Sequence, residues 1–271
     1  FTNKRVIVPV DVDLVRKNGT VNPGDSVVSA VAFEIPKNAL YKNDAAILNI
    51  IAANKWQRPI YFTSPYGELG FQPYIRQDGM TYRLVPVVNS ELNTDWAFDK
   101  MMNKFVFGSC EKPGVYFDEE NRRHLNTIRL AYAQAAGYMA EHGKAEEAKK
   151  MLNKVDKMML QENFPYGMTS RNQQHNQISL QLLYAAYRAG DKELAAKISA
   201  SLRKDMEQQA NYYQNLKDEK RDILSYEEQR NDNLMRGLMG LEQQFKNPVP
   251  PSSETPGNLQ TQPVPPASDS K

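Results

Sequence analysis

The chain has 271 residues, 41% of them hydrophobic, enough to bury one or two ordinary cores. Its formal charge of +2, from 34 basic and 32 acidic side chains, gives no whole-chain field that would draw in nucleic acid or an anionic membrane surface. A single cysteine, Cys110, excludes an internal disulfide framework and any multi-thiolate metal site, and no stretch reaches the roughly 20 apolar residues of a membrane-spanning helix.

The chain opens at Phe1 with neither a methionine nor a charged-then-apolar leader, so an upstream segment is expected. Residues 6–10 form a short β-branched run that reads as a strand, followed by a loop with turn chemistry at Asn18, Gly19, Asn22, Pro23 and Gly24. A second strand is expected over 27–35, ended by Pro36, which has no amide hydrogen to give to a ladder. From Asn43 and Asp44, both good capping types, the apolar positions Ile47, Leu48, Ile50, Ile51 and Ala52 predict a helix ending near Asn54. Pro59, Ile60, Tyr61 and Phe62 then read as a short buried strand. Residues 70–77 fit one helical turn or an irregular loop, and 82–88 fit a strand that Pro86 assigns to an edge or a bulge. Strand, strand, helix, strand, strand is the pattern of a small α/β layer with the helix on one sheet face. Trp96, Met101, Met102 and Phe105 lie close to helical spacing, ahead of breakers at Gly108, Pro113 and Gly114.

After Asp118 the composition turns to long Ala-, Leu-, Lys- and Glu-rich segments, which sets an expected boundary between a small α/β domain, 1–117, and a helical domain, 118–245. Leu125, Ile128, Ala131, Tyr132, Ala135 and Met139 share one helix face within 121–141. Gly143 ends that helix, and 144–160 returns with Ala148, Met151, Leu152, Val155 and Met159 on one side, making a helical hairpin. A second hairpin, 178–189 and 192–206, turns at Gly190 and Asp191; each hairpin places an alanine, Ala148 or Ala195, five residues after its glycine, which permits close helix approach. Residues 211–245 read as a further long helical region with a break near 218–222. From Lys246 onward Pro, Ser, Thr and Gln displace large apolar side chains, so a disordered tail is expected over 246–271. The fold class is α+β: a small sheet domain, a domain of helical hairpins, and a Pro-rich tail.

Asn43-Asp44, Ile47, Ile50 and the run Ala53-Asn54-Lys55-Trp56-Gln57-Arg58-Pro59-Ile60-Tyr61-Phe62 resemble a block in the C-terminal region of the bacterial polytopic membrane proteins known as domain of unknown function 2723. Gly70-Phe71, Tyr74 and Gly79-Met80-Thr81-Tyr82-Arg83-Leu84-Val85-Pro86 are similar to its next block, and Met101-Met102-Asn103-Lys104-Phe105 with Pro113-Gly114-Val115-Tyr116 to a third. The hairpins resemble the tetratricopeptide-type tail of the same proteins. The resemblance covers residues from about 40 to about 215, and it is most specific at Trp56, Arg58, Pro59, Ile60, Tyr61 and Phe62. It implies a parent that is a membrane-embedded glycosyltransferase-like protein, related to protein O-mannosyltransferases, whose catalytic carboxylate and lipid-linked donor site lie in the N-terminal membrane bundle. No catalytic residue is therefore carried over to this chain. The implied place is the periplasmic face of the inner membrane, and the implied partners are the membrane-embedded part of the same protein and an acceptor protein or peptide. A free-standing tetratricopeptide-like interaction scaffold is the alternative.

His124, His142 and His175 have no metal-ligand spacing with each other or with Cys110, so no metal is expected, and no cofactor. His142 precedes Gly143 at a predicted helix end, where an imidazole meets the helix dipole well. Cys110 has no neighbouring histidine to activate it. Asp11, Asp13 and Asp25 lack calcium-loop spacing and read as a solvated turn. The aromatic block Trp56, Tyr61, Phe62, Tyr66, Phe71 and Tyr74 suits either a sugar ring or a small core, and core packing is the commoner use. Arg58 and Arg83, beside apolar residues, either pair with a buried carboxylate or meet an anionic ligand. Trp56, Arg58, Tyr61, Tyr74 and Arg83 are accordingly the candidate binding residues. Tyr132, Tyr138, Tyr184 and Tyr187 on the hairpins serve either a peptide groove or interhelix packing.

Overall fold

The structure, a computed structural model, describes residues 4–246. Strands β1 (Arg5–Pro9) and β2 (Ala30–Glu34) pair antiparallel, Val8 opposite Val31 and Val6 opposite Phe33. Alternation turns Val8, Val31 and Phe33 into one core. The loop expected between the strands holds a helix, α1 (Val12–Lys17), too short for periodicity to betray. Asp11 caps it, accepting from the Leu14 amide at 2.9 Å, and Val15 anchors it in the core.

Helix α2 (Lys42–Asn54) starts slightly earlier than expected: Tyr41 is its N-cap. Asp44 instead sits in the first turn, where its buried carboxylate accepts from the Tyr41 amide at 3.0 Å and from Lys37 Nζ at 3.1 Å. The helix ends as Lys55 and Trp56 both turn left-handed, at φ 49° and 62°. That reversal tucks Trp56 under β1, with its indole Nε1 donating to the Pro9 carbonyl at 2.8 Å.

The second sheet contains β3 (Tyr61–Phe62), β4 (Ile75–Asp78) and β5 (Thr81–Leu84), antiparallel in the order β3-β5-β4. Three expectations are corrected here. Residues 70–77 hold both a 3-10 turn, Gln72–Tyr74, and strand β4. The strand over 82–88 that Pro86 assigned to an edge or a bulge is the central strand β5, which stops at Leu84, so that Pro86 falls beyond its end, where its carbonyl accepts from Val28 N at 3.0 Å. The run expected as a buried strand is a two-residue edge strand, and Tyr61 is 46% exposed.

Phe71 is the hub of this N-terminal core, edge-on to Phe33 at 5.5 Å and stacked on Tyr66 at 5.6 Å. It is delivered there by Gly70, at φ +91°, where a Cβ would stand 2.0 Å from the Glu34 carbonyl oxygen. The aromatic block is thus mostly core: Trp56, Phe71 and Tyr74 are buried, and Phe62 and Tyr66 pack against them.

Helix α3 (Thr94–Asn103) comes next, then α4 (Glu119–Glu141), α5 (Ala145–Met158), α6 (Gln174–Ala189), α7 (Lys192–Gln214), α8 (Asp218–Ile223) and α9 (Ser225–Lys246). Both hairpins stand where periodicity puts them, although α6 begins ahead of residue 178 and α7 runs beyond 206. The break expected near 218–222 falls just before it, at the α7 C-cap Asn215. A second core gathers Tyr132, Met139, Met151, Leu152, Leu182 and Leu202, and draws in Leu92, Ala97, Met101, Phe107 and Phe117 from ahead of α4. Among the described residues no helix is long and apolar enough to cross a membrane. The tail expected to be disordered lies, apart from Lys246, outside the described residues.

Candidate functional site

The five candidate binding residues do not converge. Trp56 and Tyr74 are core, the Tyr74 hydroxyl meeting the Ala32 carbonyl at 3.3 Å. Arg83 ties β5 to the segment after α1, donating to the Gly19 carbonyl at 3.1 Å and Thr20 Oγ1 at 3.3 Å, with its guanidinium 5.5 Å from the Tyr61 ring centre. Arg83 and Tyr61 are cross-strand partners, while Trp56 and Tyr74 share the N-terminal core. Of the two arginines expected to meet a buried carboxylate or an anionic ligand, Arg83 has Nη1 3.9 Å from the buried Asp78 Oδ2, whereas Arg58 is exposed and makes no ion pair among the described residues. Its backbone closes a turn with Asn54 at 3.0 Å and 2.9 Å.

Two arginines that the sequence does not single out carry the buried charge. Arg76 pairs with buried Asp78, Nε to Oδ1 at 2.9 Å, and reaches Asp25 at 3.5 Å, so Asp25 belongs to an ion-pair network and not to the solvated turn expected of it. Arg129 is fully buried on α4 and makes no ion pair with a carboxylate among the described residues. Its guanidinium donates to the Phe164 carbonyl at 2.8 Å and the Pro165 carbonyl at 3.1 Å, and lies 4.1 Å from the Phe164 ring centre. Burial lowers its pKa to about 10. The signal was present: Arg129 sits four residues after Leu125 and three before Tyr132, inside the apolar stripe of α4.

His175 stands against that guanidinium. Its Nε2 lies 2.7 Å from the Pro165 carbonyl, which asks for a donor, and 3.1 Å from Arg129 Nη1, which asks for an acceptor, while Nδ1 has no hydrogen-bond partner among the described residues. Burial first, and Arg129 second, lower its pKa to about 3. A neutral, enclosed imidazole beside a cation is packing and not acid-base equipment. The Cys110 thiol is likewise buried and pushed up to about 11 by desolvation, which removes it as a nucleophile. His142 caps α4 as its position suggested, stacked on Tyr138 with Nδ1 2.7 Å from the Tyr138 carbonyl oxygen. Among the described residues no cluster of three His, Cys, Asp or Glu side chains has metal-site geometry.

A cleft of about 560 Å³ opens where α4, α6 and α9 meet the end of β4. Arg129 of α4 meets Ser179 of α6 at 3.3 Å, and Glu141 meets Tyr184 at 2.5 Å and Arg188 at 3.7 Å, so the two helices run in the same direction. Helix α9 does the same, with Gly237 against Leu180 and Phe245 stacked on Tyr187 at 4.8 Å. Tyr138 and Gly137 from α4, Leu180 and Tyr184 from α6, and Leu241 from α9 form an apolar floor. Gly137 contributes depth by having no side chain. Gln77 closes one wall: its Nε2 donates to Gln134 Oε1 at 3.1 Å, and its backbone amide holds the Glu91 carbonyl at 2.8 Å, placing Glu91 and Leu92 on the rim. Burial raises the pKa of both tyrosine hydroxyls, so they stay protonated donors. Of the four hairpin tyrosines, Tyr138 and Tyr184 line the cleft; Tyr132 is buried against the Met101 carbonyl and Tyr187 packs on Phe245. A second, polar cleft of about 800 Å³ at the start of α4 mixes Glu119 and Glu120 with Arg122, Arg123 and Arg171, and Glu120 is already paired with Arg123.

Residues 1–104 match the family model described as TMEM260-associated domain 2. The match takes in the blocks around Trp56 and Tyr82 and ends at the close of α3, ahead of the helical hairpins. No curated protein and no solved structure matches the chain.

Proposed function

We infer that this chain is a non-catalytic domain of a membrane-embedded protein, set at the periplasmic face of the inner membrane, whose cleft receives an extended stretch of polypeptide. The observation that carries this reading is the cleft itself: three helices running side by side leave an apolar, tyrosine-lined floor with amide and hydroxyl groups at its edges, the surface that suits a chain with its backbone open. The membrane association is supported by the TMEM260-associated match over residues 1–104. The glycosyltransferase-like parent is supported by the resemblance of the Trp56–Phe62 blocks to domain of unknown function 2723, and in such a parent the domain positions acceptor protein or braces the bundle. Arg58 and Tyr61 are the candidate binding residues with the most surface open to that bundle or acceptor.

The hairpin helices supply most of the cleft, which favours a second reading, a free-standing tetratricopeptide-like scaffold. An immunoblot of fractionated source cells separates the two. A membrane-fraction band much larger than 30.9 kDa is expected. A band near 30.9 kDa outside the membranes would overturn the accessory-domain reading and leave the scaffold.

A further inference from the structure

We propose that the cleft is filled, when nothing else occupies it, by the chain's own segment Pro263-Val264-Pro265-Pro266. The inference rests on the reading that the cleft accepts extended polypeptide, and it names the occupant.

Helix α9 brings the end of the described chain to the cleft. Leu241 lies on its floor, and one turn later Phe245 packs on Tyr187 at 4.8 Å and meets Tyr184, a lining residue, at 6.1 Å. The chain beyond Lys246 therefore starts beside the cleft mouth. That stretch contains Pro-Val-Pro-Pro twice, at 248–251 and at 263–266. Such runs favour the polyproline II conformation, which leaves carbonyls free to accept and costs little entropy to hold, and aromatic-lined grooves are its usual receptor. The Tyr138 hydroxyl and the Gln181 amide line the cleft and make no hydrogen bond among the described residues, so both are available to those carbonyls.

Dimensions choose between the two runs. The α4 wall extends from Ala133 to Glu141, about 12 Å at the helical rise. Four polyproline residues also span about 12 Å. The nearer run begins at Pro248, two residues after Lys246, which is too little chain to double back over the cleft floor. The farther run comes after residues 247–262, and a stretch of that length has a random-coil reach of roughly 20 Å, enough to return over the cleft. Tethering at this length corresponds to an effective concentration on the order of millimolar, so even a weak four-residue contact is populated. The tail then competes with any incoming polypeptide.

The test uses the full chain with a benzophenone side chain at Val264. Irradiation at low concentration is expected to give an adduct of monomer mass on peptides carrying Tyr138, Leu180 or Leu241, reduced by Leu180→Asp and absent when the probe sits at Val249. An adduct of dimer mass would give the cleft to a second copy, and an adduct elsewhere on the chain, or none, would also overturn the proposal. A labelled peptide of residues 258–271 is then titrated into the full chain and into its Pro263→Ser, Pro265→Ser, Pro266→Ser variant. The variant is expected to bind at least about 10-fold more tightly, because the tethered competitor is gone. Equal, measurable binding by both would refute the tail as occupant and leave the polypeptide cleft standing. No binding by either, together with no adduct, would remove both.

Discussion

A buried histidine is where this protein exposes its physical chemistry most plainly. His175 is kept neutral by burial and by Arg129, with its pKa lowered to about 3 in the fold against an ordinary value near 6.5. The folded-state pKa is depressed because the neutral form is favoured. In the window between those values the unfolded chain takes up a proton that the native chain refuses. The contribution is therefore fully present above about pH 6.5 and is lost as the pH falls towards about 3. At pH 5 the wild type is expected to lose about 2 kcal/mol, relative to pH 7.5, that a His175→Gln variant does not lose. Urea unfolding of both proteins at the two pH values measures this; parallel losses would mean that His175 is not the responsible group. From sequence His175 is weighed only as a metal ligand, since a lone histidine carries no mark of burial. Arg129 is more legible, being a charge in the middle of an apolar stripe.

Individual elements are read best where they are long. The hairpins of α4 with α5 and α6 with α7 declare themselves through a sustained 3.6-residue period and a glycine at each turn. Helix α1 and strand β4 do not, because six residues cover fewer than two helical turns and four residues only two strand periods, too few repeats for a pattern to stand out. The interaction that holds α3 in place is also invisible in sequence. Lys154 of α5 donates to the carbonyls of Met101 and Met102, each at 2.8 Å, and lies 3.4 Å from that of Phe105, neutralising the C-terminal end of α3. Burial lowers its pKa, yet three carbonyls keep the ammonium well solvated by protein. Lys154→Met is expected to destabilise the chain by about 2 kcal/mol, with α3 loosened first. Chemical denaturation gives the total, and Trp96 fluorescence reports α3 directly; a change below about 0.5 kcal/mol would show that water replaces the lysine at no cost.

At the scale of the whole chain, two apolar cores share one polypeptide, the first built around Phe71 and the second around the helices. They meet over a narrow seam, Gln77 with Gln134 at 3.1 Å, Asn22 with Asn93 at 3.3 Å and the Gly79 turn against the Phe105 and Trp96 rings, which couples them weakly compared with the apolar area buried inside each core. Trp56 lies in the first core and Trp96 packs on the second. Single-tryptophan variants, Trp56→Phe and Trp96→Phe, are therefore expected to give separate urea transitions, with the Trp96 signal tracking the helical far-ultraviolet signal. Coincident transitions would establish one cooperative unit.

The succession of a sheet-bearing segment and helical hairpins is legible in the residues, because periodicity and turn chemistry act over neighbouring positions. So are the aromatics that form the first core. Packing between distant segments is what makes β5 central, buries Arg76, and brings Tyr138, Leu180, Tyr184 and Leu241 into one cleft. Those facts depend on which distant segments meet, and residues as far apart as Gln77 and Leu241 carry no local sign that they will line the same cleft.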